Sequence, residues 1–131
     1  ARTQHSNTTN SAGYVVIEEN PIFGKAEVDE FINLLVPARS SVASFDGYSG
    51  YPLAYIKHEN NDRVHGLGAA YKPRTADSME LLLSGHALGL LRNSDAYTKE
   101  GKEIFVNSIL WASYIEFNEV QGTVTNEEGE P

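Results

Sequence analysis

Residues 97–112, YTKEGKEIFVNSILWA, decide the fold class of this chain. Thr98 can accept hydrogen bonds from the backbone N–H groups of a starting helix. Glu100 and Glu103 place negative charge in the first turns, where the helix dipole favours it. The residues that follow at helical spacing form one wide apolar face, made of Ile104, Phe105, Ser108, Ile109, Trp111 and Ala112. A helix of this kind must cover a flat apolar surface, so the stretch predicts a layered α/β domain.

The residues before this helix carry mainly strand signals. Short β-branched or apolar runs predict strands at residues 14–17, 41–45, 53–57 and 63–71. Residues 27–36 fit either a helix face or a strand. Residues 79–91, MELLLSGHALGLL, predict a short helix that breaks near Gly85. The sequence therefore predicts a small, mainly β-meander sheet over residues 41–71, packed by a C-terminal amphipathic helix near residues 99–115.

Composition divides the chain into three parts. Residues 1–13 are rich in Ser, Thr and Asn and predict a flexible N-terminal segment. Residues 14–118 form the predicted α/β accessory domain. Residues 119–131 predict a linker or the first strand of a following module, since a strand needs a partner to satisfy its backbone groups.

Charge and composition exclude several classes of function. The net charge is −8, with 10 basic and 18 acidic residues, which disfavours nucleic acid and anionic membranes as partners. No apolar run is long enough for a membrane span. The chain has no cysteine, which excludes disulfides, thiolate metal sites and a cysteine nucleophile. We expect neither a cofactor nor a metal site.

Two histidines are the candidate catalytic residues. His65 lies in a predicted strand and His86 in the glycine-bearing apolar segment. They could serve as a general base or a metal pair. The favoured interpretation is a hydrogen-bonded, half-buried histidine that supports a loop, because no carboxylate stands at a fixed spacing from either residue. A G-x-S-x-G nucleophile in its strand–turn–helix context is missing, which disfavours a serine hydrolase.

Five further residues are candidates for ligand binding. Tyrosines near the meander could stack on sugars or anchor a partner, although half-buried core positions fit their alternation better. The aspartate in the turn DGYSG could hold a ligand or cation, although a tight turn with glycine at positive φ explains it better. The candidates are Asp46, Tyr48, Tyr51, Tyr55 and Tyr71.

Four motifs, in the right order, resemble the C-terminal half of a ThuA-like, class I glutamine-amidotransferase-like domain. Residues 20–24, NPIFG, resemble its HPI–G turn, and residues 52–56, PLAYI, its P–A strand. Residues 62–68, DRVHGLG, resemble its GRV…LG strand, with Asp62 where glycine is usual. Residues 103–112, EIFVNSILWA, resemble its closing LF–NAV–WA helix. The resemblance implies a flavodoxin-like half-domain that lacks the nucleophile elbow, and a chain without cysteine does not support amidotransferase chemistry.

Residues 120–131, VQGTVTNEEGEP, resemble the opening strand and turn of carboxypeptidase-regulatory-like β-sandwich modules. Such modules commonly follow larger domains in exported bacterial proteins, so the resemblance implies an extracellular multidomain parent such as a subtilisin-like protease. We expect a non-catalytic accessory or interaction module whose partners are adjacent domains or a second protein chain, with oligomer formation through exposed sheet edges as an option. The alternative is a ThuA-like enzyme domain that acts on a sugar derivative, with His65 or His86 as acid or base. A third interpretation is a fragment that completes its sheet with a missing chain or a second copy.

Overall fold

The structure, a computed structural model, describes residues 2–5, 10–37, 42–76, 78–84 and 94–121, with side chains up to residue 113. Its elements, in chain order, are the strands β1 (Arg2–His5), β2 (Ala12–Val16), β3 (Phe31–Leu35), β4 (Val42–Phe45), β5 (Tyr51–His58), β6 (Gly66–Thr75) and β7 (Ser78–Leu83) and the helix α1 (Lys99–Gln121). Short 3-10 turns span Pro21–Phe23 and Ser94–Ala96. The predicted mixed α/β class is confirmed as one seven-stranded sheet and a C-terminal helix.

The strands lie in the order β1-β4-β6-β5-β2-β3, and β7 also pairs with β6. Every pairing between the described strands is antiparallel. The flavodoxin-like half-domain is not confirmed, because that fold is built on parallel strands. The meander is present in β5, β6 and β7, which are sequential neighbours. The prediction that residues 41–45 form part of the same meander is wrong, because β6 lies between β4 and β5 in the sheet.

The predicted helix over residues 79–91 is wrong where the structure describes it. Ser78–Leu83 is strand β7, which pairs with β6 from Ala69↔Leu83 to Thr75↔Ser78. Leu81 and Leu83 are partly buried against the core. A short apolar run is compatible with a buried helix or a buried strand, and here the long β6 supplies a partner for a strand. Residues 85–93 lie outside the described residues.

The two ends of the predicted domain also differ from expectation. Arg2–His5, within the segment predicted to be flexible, is strand β1 and pairs with β4 along its length. The first two residues of β2, Ala12 and Gly13, belong to the same predicted segment. At the other end, α1 continues to Gln121, past the predicted boundary at residue 118.

The helix is attached to the edge of the sheet at its first turn. Thr98 is the N-cap that the sequence predicts, since its Oγ1 accepts from the N–H of Gly101 at 2.9 Å. The same hydroxyl donates to the carbonyl of Asn33 in β3 at 2.6 Å. Gly101 lies so close to β3 that a Cβ at this position would be 2.4 Å from the carbonyl oxygen of Leu34. The helix therefore begins in direct backbone contact with the sheet.

The segment before the helix also covers the outer edge of β3. The N–H of Thr98 donates to the carbonyl of Leu34 at 3.1 Å, and the N–H of Val36 donates to the carbonyl of Ala96 at 2.9 Å. Leu35 and Tyr97 form an antiparallel bridge between these two bonds. The carbonyl of Leu34 and the N–H of Val36, which this edge would otherwise expose, are thus paired within the chain.

Candidate functional site

Three histidines from separate segments meet at one end of the core. His5 ends β1, His58 ends β5, and His65 directly precedes β6. His58 is 1% exposed, and the other two rings are half-buried. The N–H of His65 donates to the carbonyl of Ile56 at 2.8 Å, which fixes this residue beside β5. We call His5, His58 and His65 the histidine cluster.

His65 is at the centre of the cluster. Its Nε2 lies 2.8 Å from Nδ1 of His58 and 3.5 Å from Nδ2 of Asn61. The donor and acceptor roles of the two rings depend on their tautomers. Because an amide nitrogen only donates, both contacts are satisfied when Nε2 of His65 accepts and Nδ1 of His58 carries the hydrogen. The ring of His65 is stacked on that of His5, with centroids 4.0 Å apart and planes inclined by 4°. His5 in turn places its Nε2 2.8 Å from Oγ of Ser44.

The surroundings favour a neutral His65. Burial lowers the pKa of this imidazole, and the neighbouring His5 and His58 lower the pKa further. The hydrogen bonds agree with this direction, because a proton on Nε2 would face the donor nitrogens of His58 and Asn61. The ring therefore accepts a hydrogen bond at neutral pH.

The chemistry available to the cluster is the binding and release of protons. Ser44 beside His5 has the residue types of a nucleophile and its base, but Ser44 is only 6% exposed. Gly66 packs directly on it, since a Cβ at Gly66 would be 2.9 Å from Cβ of Ser44. Among the described residues, no group of three or more His, Cys, Asp or Glu is arranged to hold a metal ion. Histidine clusters of this kind respond to pH.

The sequence located one member of this cluster. His65 was a candidate, whereas His5 and His58 were not, because the three come together only through strand pairing. His58 ends β5 and His65 precedes β6, so pairing these two sequential strands brings the two histidines together. His86 lies outside the described residues, and its candidate role as acid or base stays a prediction.

The four candidate tyrosines occupy three different places. Tyr51 and Tyr71 have ring centroids 5.2 Å apart. Tyr71 continues this contact to Trp111 on α1, with centroids 5.3 Å apart and planes at 90°. Tyr71 and Trp111 are packed against the core, so this group attaches the helix to the sheet.

Tyr48 and Asp46 belong to the polar end of β6 and β7 and to the turn before β5. The hydroxyl of Tyr48 donates to Glu80 at 2.9 Å, and Nζ of Lys72 lies 5.1 Å from the centre of its ring. Burial, followed by the hydrogen bond and charge of Glu80, raises the pKa of Tyr48 to about 12. Asp46 is exposed in a turn in which Gly47 has a φ of 72°, as the tight-turn interpretation expects.

Tyr55 belongs to a row of apolar side chains that crosses the sheet. Residues directly opposite each other in antiparallel strands lie on the same face. The register pairs Phe31 with Val15, Val15 with Tyr55, Tyr55 with Leu67, and Leu67 with Phe45. We call these five residues the open-face row.

The open-face row lies on the face of the sheet opposite to the core. The adjacent row, in which Tyr14 pairs with both Ile32 and Ile56, is buried in the core. Because successive side chains of a strand alternate between faces, the open-face row points the other way. Tyr55 at its centre is 42% exposed, and the other four residues are half-buried. The sequence did not predict this row, because it depends on the register of five strands.

A second exposed apolar surface lies on α1. Val106, Ile109 and Leu110 are 52%, 53% and 60% exposed. The sequence placed Ile109 on the apolar face that covers the sheet, and this is wrong. The inner face includes Ile104 and Ser108, as the sequence predicts, and the hydroxyl of Ser108 donates to the carbonyl of Ile104 at 2.7 Å.

One cleft, of about 260 Å³, lies between the Pro21–Phe23 turn and α1. Glu30, Glu100 and Glu103 line it together with Asn107. None of the candidate site residues that the structure describes lines this cleft, so the histidine cluster and the tyrosines are separate from it.

The chain matches no known family model, no curated protein and no solved structure. Within the described residues, α1 does not combine the length and apolar character that crossing a membrane requires. The functional inference therefore depends on the geometry of the histidine cluster and the two exposed apolar surfaces.

Proposed function

We propose that the chain is a non-catalytic accessory module of an exported bacterial multidomain protein, such as an extracellular subtilisin-like protease, and that it binds a neighbouring domain of that protein through the open-face row. The observation that carries the proposal is the continuity of the row, to which five adjacent strands each contribute one apolar side chain. Contiguous exposed apolar surface is typical of sites that contact another protein. The resemblances at residues 20–24, 52–56, 62–68, 103–112 and 120–131 support the parent class and the relation to a ThuA-like half-domain.

Tyr55 is suited to be the anchor of this contact. It stands in the middle of the row, with Val15 on one side and Leu67 on the other, and is its most exposed member. A tyrosine contributes a large apolar ring at small entropic cost, and its hydroxyl can bond at the rim of an interface. At one end of the row, Nζ of Lys57 lies 5.4 Å from the centre of the Phe31 ring and adds a positive charge.

The size and charge of the surface favour a tethered neighbour over a second copy. The row is one residue wide, and contacts between domains of one chain need only about 600–1,500 Å² because the tether keeps the partners concentrated. A second copy would bring another net charge of −8, and the two copies would repel each other.

The experiment compares two exposed tyrosines of the same strand by hydroxyl-radical labelling. Tyr55 belongs to the open-face row, whereas Tyr51, which is 57% exposed, packs on Tyr71 instead. In the full-length parent we expect Tyr55 to be labelled several-fold less than in the separate chain, while Tyr51 is labelled equally in both. Equal labelling of Tyr55 in the two proteins would overturn the proposal.

Two substitutions in β5 test the same contact by disrupting it. Tyr55→Asp in the parent should expose Phe45, which lies beyond Leu67 at the end of the row, to labelling, because a carboxylate at the centre of the row opposes burial of the whole surface. Tyr51→Asp is the matched control and should leave the labelling of Phe45 unchanged. An equal effect of the two substitutions would show that labelling reports general loosening and not the proposed contact.

A further inference from the structure

Strand β1 is attached to the sheet by its backbone and by one inward side chain. It pairs with β4 from Arg2↔Phe45 to His5↔Val42. The side chains of its first three residues are exposed, whereas His5 is half-buried. The ring of His5 contacts Ser44 of β4 and is stacked on His65. A four-residue edge strand held in this way belongs to the least stable part of a sheet.

Protonation of His65 weakens the contacts that hold the ring of His5 in place. The bond between His58 and His65 needs one nitrogen without hydrogen, and Nε2 of His65 supplies it. Protonation of that atom replaces the acceptor with a donor that faces the donors of His58 and Asn61. The charge of a protonated His65 is also repelled by a charge on His5, whose ring centroid lies 4.0 Å away. Acid therefore weakens both contacts of His65 at once.

The other charged groups near the cluster are engaged elsewhere or exposed. From the β5 end, Nζ of Lys57 donates to the carbonyl of Asn61, and Glu59 accepts from Oγ of Ser11. Asp62 and Arg63, in the turn before His65, are exposed. On β1, Arg2 stands at the opposite end of the strand, and β4 contributes the neutral Ser44. Burial is the main cause that lowers the pKa of His65, and the neighbouring His5 and His58 lower this pKa further.

We propose that the histidine cluster is a proton-sensitive latch that holds β1 on β4 at neutral pH and releases it in acid. Release uncovers the backbone edge of β4, which can then accept another strand. His5 of the latch pairs with the buried Val42 on the core face of the sheet, whereas the open-face row lies on the opposite face.

The test is amide hydrogen exchange of the whole chain, expressed as protection factors, between about pH 7.5 and pH 5. We expect protection of β1 and of the facing edge of β4 to fall about tenfold for each pH unit over the range in which opening takes up one proton. Protection of β2 and β5 should stay unchanged. Unchanged protection of β1, or a simultaneous loss in all strands, would overturn the proposal.

Three variants separate the latch from ordinary loss of stability. His65→Gln keeps an acceptor oxygen without a titrating ring, so β1 should stay protected at both pH values. His5→Ala removes the inward side chain, so β1 should exchange rapidly already at about pH 7.5 while β2 and β5 stay protected. Glu59→Gln removes a carboxylate beside the cluster and should leave the pH dependence the same as in the unsubstituted chain. If His65→Gln retains the full pH dependence, His65 is not the sensor and the proposal fails.

Discussion

The contact between Gly101 and β3 makes an unusual prediction for a glycine-to-alanine change within a helix. In an ordinary helix, alanine at such a position stabilises the protein by about 0.5–1 kcal/mol, because glycine loses more backbone freedom on folding. Here the new Cβ would be 2.4 Å from the carbonyl oxygen of Leu34 and 3.2 Å from its carbon. These are backbone atoms, so no change of rotamer relieves the contact.

The magnitude follows from the distance that must be regained. Restoring an ordinary contact of about 3.4 Å from 2.4 Å moves the first turn of α1 by about 1 Å from β3. Overpacking of this kind costs about 1–3 kcal/mol, which exceeds the gain in helix propensity. We therefore expect Gly101→Ala to lower the free energy of unfolding by about 1–2 kcal/mol, and Tm by roughly 4–8 °C.

Urea and thermal denaturation followed by circular dichroism measure this difference. The control is Lys102→Ala, at the next and exposed position of the same helical turn, which should change the free energy of unfolding by less than about 0.5 kcal/mol. An increase in the stability of Gly101→Ala would show that the helix does not lie against the carbonyl of Leu34, and would refute the proposed attachment of α1.

Three further predictions follow from single contacts. Thr98→Val removes the hydroxyl that caps Gly101 and bonds to β3, and should cost about 1–2 kcal/mol in urea unfolding. Tyr14→Phe deletes the donor that bonds the carbonyl of Ser84 at 2.6 Å, and should cost about 1–3 kcal/mol in the same assay, with no change in fold by circular dichroism. The free energy of unfolding should fall as pH decreases below about 6.5, because burial and two imidazoles lower the pKa of His65 and the unfolded chain binds the proton first. His65→Gln should reduce this slope.

Local sequence predicts those parts of the fold that depend on contacts between residues close together in the chain. Thr98 caps α1 as expected, because its hydroxyl and the N–H of Gly101 are three residues apart. The segment at residues 27–36 was ambiguous in sequence, and β2 decides it by pairing with Phe31–Leu35. The apolar character of residues 79–83 predicts a helix. In the structure these residues pair with β6, and apolar side chains among them pack against the core.

The candidate site depends on contacts between distant segments. His65 was visible as a titratable residue, but its neighbours His5 and His58 come from two other strands. Tyr55 was visible as an aromatic residue, but its place in the open-face row depends on the register of β5 with β2 and β6. A one-residue change of register would move every such side chain to the other face, and local sequence does not specify that register.

The covered edge of β3 also limits how this sheet can associate. Along the strand order, one end is closed by the bonds that join Leu34 and Val36 to residues 96–98, and the other end is β1. A sheet with two free ends can add copies without limit and form a fibre, whereas a sheet with one free end can join only one further copy. Along this strand order, to which β7 does not belong, strand pairing through β1 would therefore stop at a pair. Residues 96–98, which precede the helix, thus prevent growth at the β3 end of this strand order.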